Sequence, residues 1–165
     1  MKRIGVIMGS DSDFDGLKPA FTFLNSMGVH YEAHVCSAHR TPDAAADFAK
    51  NAAARGFGVI IAAAGKAAHL AGAIAAHTIL PVIGIPMKSS ELDGMDALLS
   101  TVQMPPGVPV ATVAVNGSLN AAILACQILA VNEAGLAERL AVYKENMRQS
   151  ALNRDKLIQE KLGQL

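Results

Sequence analysis

Residues 59–63 read Val-Ile-Ile-Ala-Ala, a run with no polar position on either face, bracketed by Gly56 and Gly58 before it and by Gly65-Lys66 after it. A half-solvated strand alternates apolar and polar residues. A strand without alternation is covered on both faces, as in a parallel sheet held between two helical layers. Ile4–Met8 and Val82–Ile85 have the same character, and Tyr31–Cys36 and Val110–Val115 read as two further strands. Helical patterns lie between them, and right-handed crossovers then leave a five-stranded, doubly wound parallel α/β sheet with helices on both faces as the leading topology.

Punctuation marks the helices. The first is expected to run from Ser12 or Asp13 as N-cap towards Met27, with Gly28 just past its end; Pro19 inside it predicts a kink or a later start. The second has Thr41 as N-cap, Pro42 at the first helical position, Asp43 near the positive end and Gly56 as terminator. An Ala-rich helix is expected to end near His77, a short one to lie around Met95–Leu99, and another to span Asn120–Val131. From Glu133 the chain is amphipathic, with Leu136, Leu140, Tyr143 and Met147 on one stripe and Arg139, Lys144, Glu145 and Arg148 outside it. This C-terminal helix, residues 132–165, is a candidate for packing on a neighbouring subunit or on its own domain.

A chain of 165 residues reads as one catalytic-sized domain spanning 1–165. Its 14 Lys+Arg balance 14 Asp+Glu, which removes the basic face that nucleic acid or an anionic membrane requires. Hydrophobic residues make up 52% and charged ones 17%, so disorder is excluded, and apolar surface is left to bury between subunits of a homo-oligomer. No formally charged residue occurs in 67–87, nearly the length of a membrane span, but Gly72, Pro81, Gly84 and Pro86 break it into a buried helix and a buried strand. Two cysteines, Cys36 and Cys126, in apolar settings read as reduced core thiols of a cytoplasmic protein.

In a doubly wound sheet, ligands bind beyond the carboxyl ends of the strands where the strand order reverses. The loops after the first three strands meet there: Gly9–Asp13, Ser37–Pro42 and Gly65–Leu70. The first offers Ser10 and Ser12 hydroxyls and helix-opening amides suited to an anion, and Asp13 suited to ribose hydroxyls; it also reads as an ordinary helix cap. In the second, Arg40 presents a planar fork suited to phosphate. Its neighbour His39 is the side-chain type that gives and takes protons near neutrality. In the third, Lys66 is a second anion anchor or a solvated cation, and His69 a further site residue or a hydrogen-bonded core histidine. The glycine spacing of 58–66 does not match a nucleotide-triphosphate loop, no Gly-x-Gly-x-x-Gly follows the first strand, and the histidines lack metal-ligand spacing.

Four motifs occur in order: Met8-Gly9-Ser10-Asp11-Ser12-Asp13, Ser37-Ala38-His39-Arg40-Thr41-Pro42, Ala67-Ala68-His69-Leu70 and Gln103-Met104-Pro105. With them the chain resembles the N5-carboxyaminoimidazole ribonucleotide mutases of purine biosynthesis, from the first strand to about Ala130. The resemblance implies a flavodoxin-like fold and a homo-octamer. It also implies conversion of N5-carboxyaminoimidazole ribonucleotide to 4-carboxy-5-aminoimidazole ribonucleotide, by decarboxylation and recarboxylation without metal or cofactor. His39 matches the acid/base histidine and Ser10, Asp13 and Arg40 the substrate-binding positions. Ser12 and Ser37 are further expected contacts, and the Gly65–Leu70 loop, with Lys66 and Leu70, is expected to line the carboxylate pocket. Lys66 is a departure from the uncharged residue common in mutases. It keeps a direct carbon dioxide-dependent carboxylase as the alternative reading, with a non-catalytic flavodoxin-like nucleotide- or flavin-binding module as the second.

Overall fold

The computed structural model describes residues 1–165. Five strands, β1 (Arg3–Met8), β2 (Tyr31–Val35), β3 (Phe57–Gly65), β4 (Val82–Met87) and β5 (Ala111–Thr112), form one sheet in the order β2-β1-β3-β4-β5. Every neighbouring pair is parallel. The chain steps from β1 outward to β2, returns to the other side of β1 as β3, and continues to β5. The order therefore reverses between β1 and β3. Met8 pairs with Val35 on one side and Ala63 on the other, and Gly65 pairs with Met87, so the carboxyl ends of β1 to β4 form one rim.

The helices are α1 (Phe14–Ser26), α2 (Pro42–Ala52), α3 (Leu70–Ala75), α4 (Met95–Val102), α5 (Ser118–Ala130) and α6 (Ala134–Leu162). The two-residue period of the strands sorts them into two layers. Ile4, Val6 and Met8 of β1 with Val59, Ile61 and Ala63 of β3 pack among α1, α5 and the start of α6. Ile7, Ile60 and Ala62 point the other way, into a core with α2 and α3. On that second face Gly84 is required: a Cβ there would collide with Thr101 Cγ2 of α4 and lie 2.9 Å from Val110 and 3.2 Å from Ala71.

Several expectations are corrected. β2 is not covered on both faces: it is the sheet edge, with Ala33, His34 and Val35 exposed. The strand expected over Val110–Val115 shortens to Ala111–Thr112; the chain still follows β4, through Val113 N–H to Gly84 O at 3.0 Å and Asn116 N–H to Pro86 O at 2.9 Å, but it bends away between them. The Ala-rich helix ends at Ala75 with Ala76 as C-cap, near His77 as expected. α1 starts at Phe14 after a 3-10 turn, Asp11–Asp13, and keeps Pro19 inside it. Pro19 and Asp15 are both exposed, so water can satisfy the Asp15 carbonyl that Pro19 leaves without a donor. The charge-free segment forms α3 and β4, and no helix is long and apolar enough to cross a membrane.

The C-terminal helix divides in two. Leu136 and Leu140 are buried, Tyr143 meets Phe23 edge-on with ring centroids 5.0 Å apart, and Arg139 Nε donates to Met27 O at 3.0 Å, at the negative end of α1. Arg139 lies outside the apolar stripe, as expected, and still ties the helix to its own domain through this bond. Beyond Tyr143 every residue of α6 is exposed, including Met147, Leu152, Leu157, Ile158 and Leu162.

Cys126 sits in the α5 face of the larger core, where burial pushes its thiol from 9.0 up to about 11 and Arg139 offsets only part of the shift. The unfolded thiol loses its proton first, so stability falls as pH rises from about 9 to about 11. Urea titrations at pH 8, 9, 10 and 11 are expected to show a decline of up to about 2 kcal/mol from this group, absent from Cys126→Ala and isolated in the difference between the two curves.

A candidate active site at the sheet switch point

Four loops meet on the carboxyl rim, enclosing a cleft of about 640 Å³. Three are those expected from the sequence, and they bring Ser10, Ser12, Asp13, Ser37, His39, Arg40, Lys66 and Leu70 to one wall or another of it. The fourth, Lys88-Ser89-Ser90 after β4, was not foreseen. The signal was the position of β4 beside β3, which sends its loop to the same rim.

The loop after β1 is rigidified by its own side chains. Asp13 is the N-cap position of α1, as expected, without a side-chain cap bond, and Ser10 caps the 3-10 turn before it: the Ser10 hydroxyl accepts the Ser12 amide at 3.3 Å, and Asp13 Oδ2 accepts the Ser10 amide at 3.2 Å, a reciprocal capping box. Ser12 Oγ lies 2.9 Å from Ser10 Oγ, so the two hydroxyls present a single polar patch. Burial raises the Asp13 pKa above its ordinary value; the Ser10 amide works against this, and nearby Asp11 adds to it. One Asp13 oxygen remains for an outside donor.

The loop after β2 is a closed turn. Thr41 precedes Pro42 as expected, but its hydroxyl does not cap α2. Thr41 Oγ1 instead accepts the Ser37 amide at 2.9 Å and donates to Ser37 O at 3.2 Å, while Thr41 N–H donates to Ser37 O at 2.9 Å. His39 and Arg40 ride on this turn. Arg40 Nη2 donates to Gly9 O at 3.3 Å and its Nε to Ser37 Oγ at 3.4 Å, so the guanidinium bridges the first two loops. No carboxylate lies within ion-pairing distance of it, unlike Lys66 and Lys88, which pair with Glu91 at 3.1 Å and Asp93 at 2.9 Å. Arg40 is therefore the cleft cation free to meet an anion.

His69 decides the chemistry of the third loop. Its Nδ1 is 2.9 Å from His39 Nε2, with the rings nearly perpendicular at 81° and their centroids 5.0 Å apart. One nitrogen donates and the other accepts, so the tautomer of each ring sets that of the other. The two rings stand at the cleft as one hydrogen-bonded pair. His69 is thus not a core histidine; Leu70 next to it is buried and supplies apolar wall. No group of three or more His, Cys, Asp or Glu side chains gathers anywhere in the chain.

A family model described as AIR carboxylase matches residues 3–150. The chain belongs to the AIR carboxylase family. It is 51% identical over 160 residues to a Thermotoga maritima protein named N5-carboxyaminoimidazole ribonucleotide mutase, spanning 97% of this chain and 94% of that protein. It is 54% identical over 161 residues to the Schizosaccharomyces pombe phosphoribosylaminoimidazole carboxylase, spanning 97% of this chain and 29% of that protein. Among solved structures, Treponema denticola PurE shares the fold with a TM-score of 0.85 at 27% identity, over 93% of this chain and 96% of that one. The AIR carboxylase match includes all four rim loops and stops at residue 150, within the exposed part of α6.

The Ser37–Thr41 turn generates a prediction. Thr41→Val keeps the shape and removes both hydroxyl bonds, which is expected to cost about 1 kcal/mol of stability. Catalytic efficiency is expected to fall about tenfold or more as His39 and Arg40 lose their placement. Thr41→Ser, which restores both bonds, is expected to recover most of the activity; steady-state kinetics and urea midpoints of the two variants check this.

Proposed function

We propose that the chain catalyses the mutase reaction, isomerising N5-carboxyaminoimidazole ribonucleotide to 4-carboxy-5-aminoimidazole ribonucleotide in purine biosynthesis. The observation that carries this reading is the 2.9 Å contact of His39 with His69 inside the cleft that also holds the unpaired Arg40. The name of the Thermotoga maritima relative supports it. Arg40, Ser10 and Ser12 bind the phosphate, Asp13 the ribose, and Ser37 holds Arg40 towards them. Lys66 and Leu70 line the pocket for the migrating carboxyl group.

The reaction breaks the bond between the exocyclic nitrogen and its carboxylate, releasing carbon dioxide as the nitrogen takes a proton from His39. The ring carbon C4 then attacks the carbon dioxide, and His39 removes the C4 proton as the new carbon–carbon bond completes. The proton given in the first half returns in the second, so the histidine pair ends as it began. Little covalent assistance is needed; the nucleotide must be held by contacts remote from the reacting atoms and the carbon dioxide kept beside it. His69 acts by fixing the tautomer of His39 and accepting part of its charge.

The direct carboxylase reading rests on Lys66 as a cation for free carbon dioxide or bicarbonate. The Thermotoga maritima relative, matched over nearly its whole length, is named a mutase, which favours that reading. We further place the enzyme in the cytoplasm as a homo-octamer. Two free cysteines support the compartment, and the apolar residues exposed along the outer half of α6 support subunit contact.

His39→Asn is expected to keep nucleotide binding within several-fold while turnover drops by about 10²-fold or more. Calorimetric binding and single-turnover rates measure the two effects separately. Unchanged turnover would remove His39 from the reaction, and binding that survives with no carboxyl transfer even in the wild type would favour the binding module.

A further inference from the structure

Two lysines in the cleft wall are engaged by carboxylates of one short loop. Lys66, at φ 55, turns its ammonium to Glu91 Oε1 at 3.1 Å, and Lys88 turns to Asp93 Oδ1 at 2.9 Å. Asp93 (φ 52) and Gly94 (φ 89) both take left-handed backbone, turning the chain into α4. Its start is fixed by Asn116, whose Oδ1 accepts the Lys88 amide at 2.8 Å. Glu91 has its pKa lowered chiefly by the hydrogen bond from Lys66. The side chains of Lys66 and Glu91 are 69% and 57% exposed, so the pair is weak and its partners exchange readily with another anion.

We propose that Glu91 sets the affinity and selectivity of the site by competing with the nucleotide's carboxylate for Lys66. The inference rests on the mutase reading, because it assigns Lys66 to the migrating carboxyl group and leaves Arg40 to the phosphate. Lys66 borders the Gly65–Leu70 wall beside His69, while Glu91 belongs to a different loop and reaches only its ammonium. A nucleotide without a carboxyl group has nothing to exchange for Glu91, and the Lys66–Glu91 pair persists. A carboxylated nucleotide takes the ammonium, and Glu91 turns out to solvent. Glu91 thus lowers affinity for the carboxylated form and leaves the phosphate contacts untouched.

The test is a double-mutant cycle on the full chain with Glu91→Gln, Lys66→Ala and their combination. Dissociation constants are measured for 4-carboxy-5-aminoimidazole ribonucleotide and for 5-aminoimidazole ribonucleotide, alongside mutase kinetics. Glu91→Gln is expected to tighten the carboxylated nucleotide about two- to fivefold and the uncarboxylated one by less than twofold, the size of an exposed ion pair. The kinetic change is expected in KM and not in kcat, and it shrinks at high salt. Lys66→Ala weakens the carboxylated nucleotide and abolishes the effect of Glu91→Gln. Equal tightening of both nucleotides, or the same gain with and without Lys66, overturns the proposal while normal wild-type turnover leaves the mutase reading standing. A wild type that neither binds nor converts these nucleotides overturns both.

Discussion

Parallel pairing of β1 with β3 is the constraint from which the site follows. Because β3 lies on the opposite side of β1 from β2, the loops leaving β1 and β3 diverge to opposite layers and leave a crevice between them. The register brings Met8 level with Ala63, and Gly9 N–H donates to Ala63 O at 2.9 Å, so the crevice begins one residue after the last paired strand position. Everything chemical in the cleft is suspended from that rim. A shift of one residue would invert the faces of β3, which are apolar on both sides but packed against different helices, and would move Lys66 and His69 away from His39.

The cleft divides its labour by rigidity. The serines and Asp13 are locked by the capping box, and Arg40 is locked between Gly9 O and Ser37 Oγ. These groups suit the parts of a ligand that stay still. The histidine pair is held by a contact already at hydrogen-bond length. Lys66 and Lys88 sit on long, exposed stems with exchangeable partners, suited to a group that changes position. Leu70 and Ala67 of the third loop and Ala64 of β3 supply the apolar part of the cleft wall.

Much of this was legible in the residues. The continuous apolar run at 59–63 announced a strand covered on both faces, and the glycine- and proline-marked helix ends gave the alternation from which the switch point follows. Three of the four rim loops were thereby located together with eight of the residues that line the cleft. What was not legible depended on contacts between distant segments. The His39–His69 pair joins residues 30 apart, and only tertiary placement reveals that these histidines of two loops face each other. Thr41 read as a helix cap because its position is right; its hydroxyl has a better partner in Ser37, available only once the turn closes. β2 and β5 were misjudged in solvation and length because edge strands and central strands of similar composition differ only in what lies beside them.

The proposed reaction requires a chamber, closed once the nucleotide is bound, that holds carbon dioxide between its release from nitrogen and its capture by carbon, with the His39–His69 pair carrying the proton. A single turnover of N5-carboxyaminoimidazole ribonucleotide labelled with carbon-13 at its carboxylate, in a large excess of unlabelled bicarbonate with carbonic anhydrase present, tests it directly. Retention of the label in the carboxyl group of the product is the predicted result. A product carrying mostly unlabelled carbon would mean that carbon dioxide escapes and returns from solution, and the closed chamber would be contradicted.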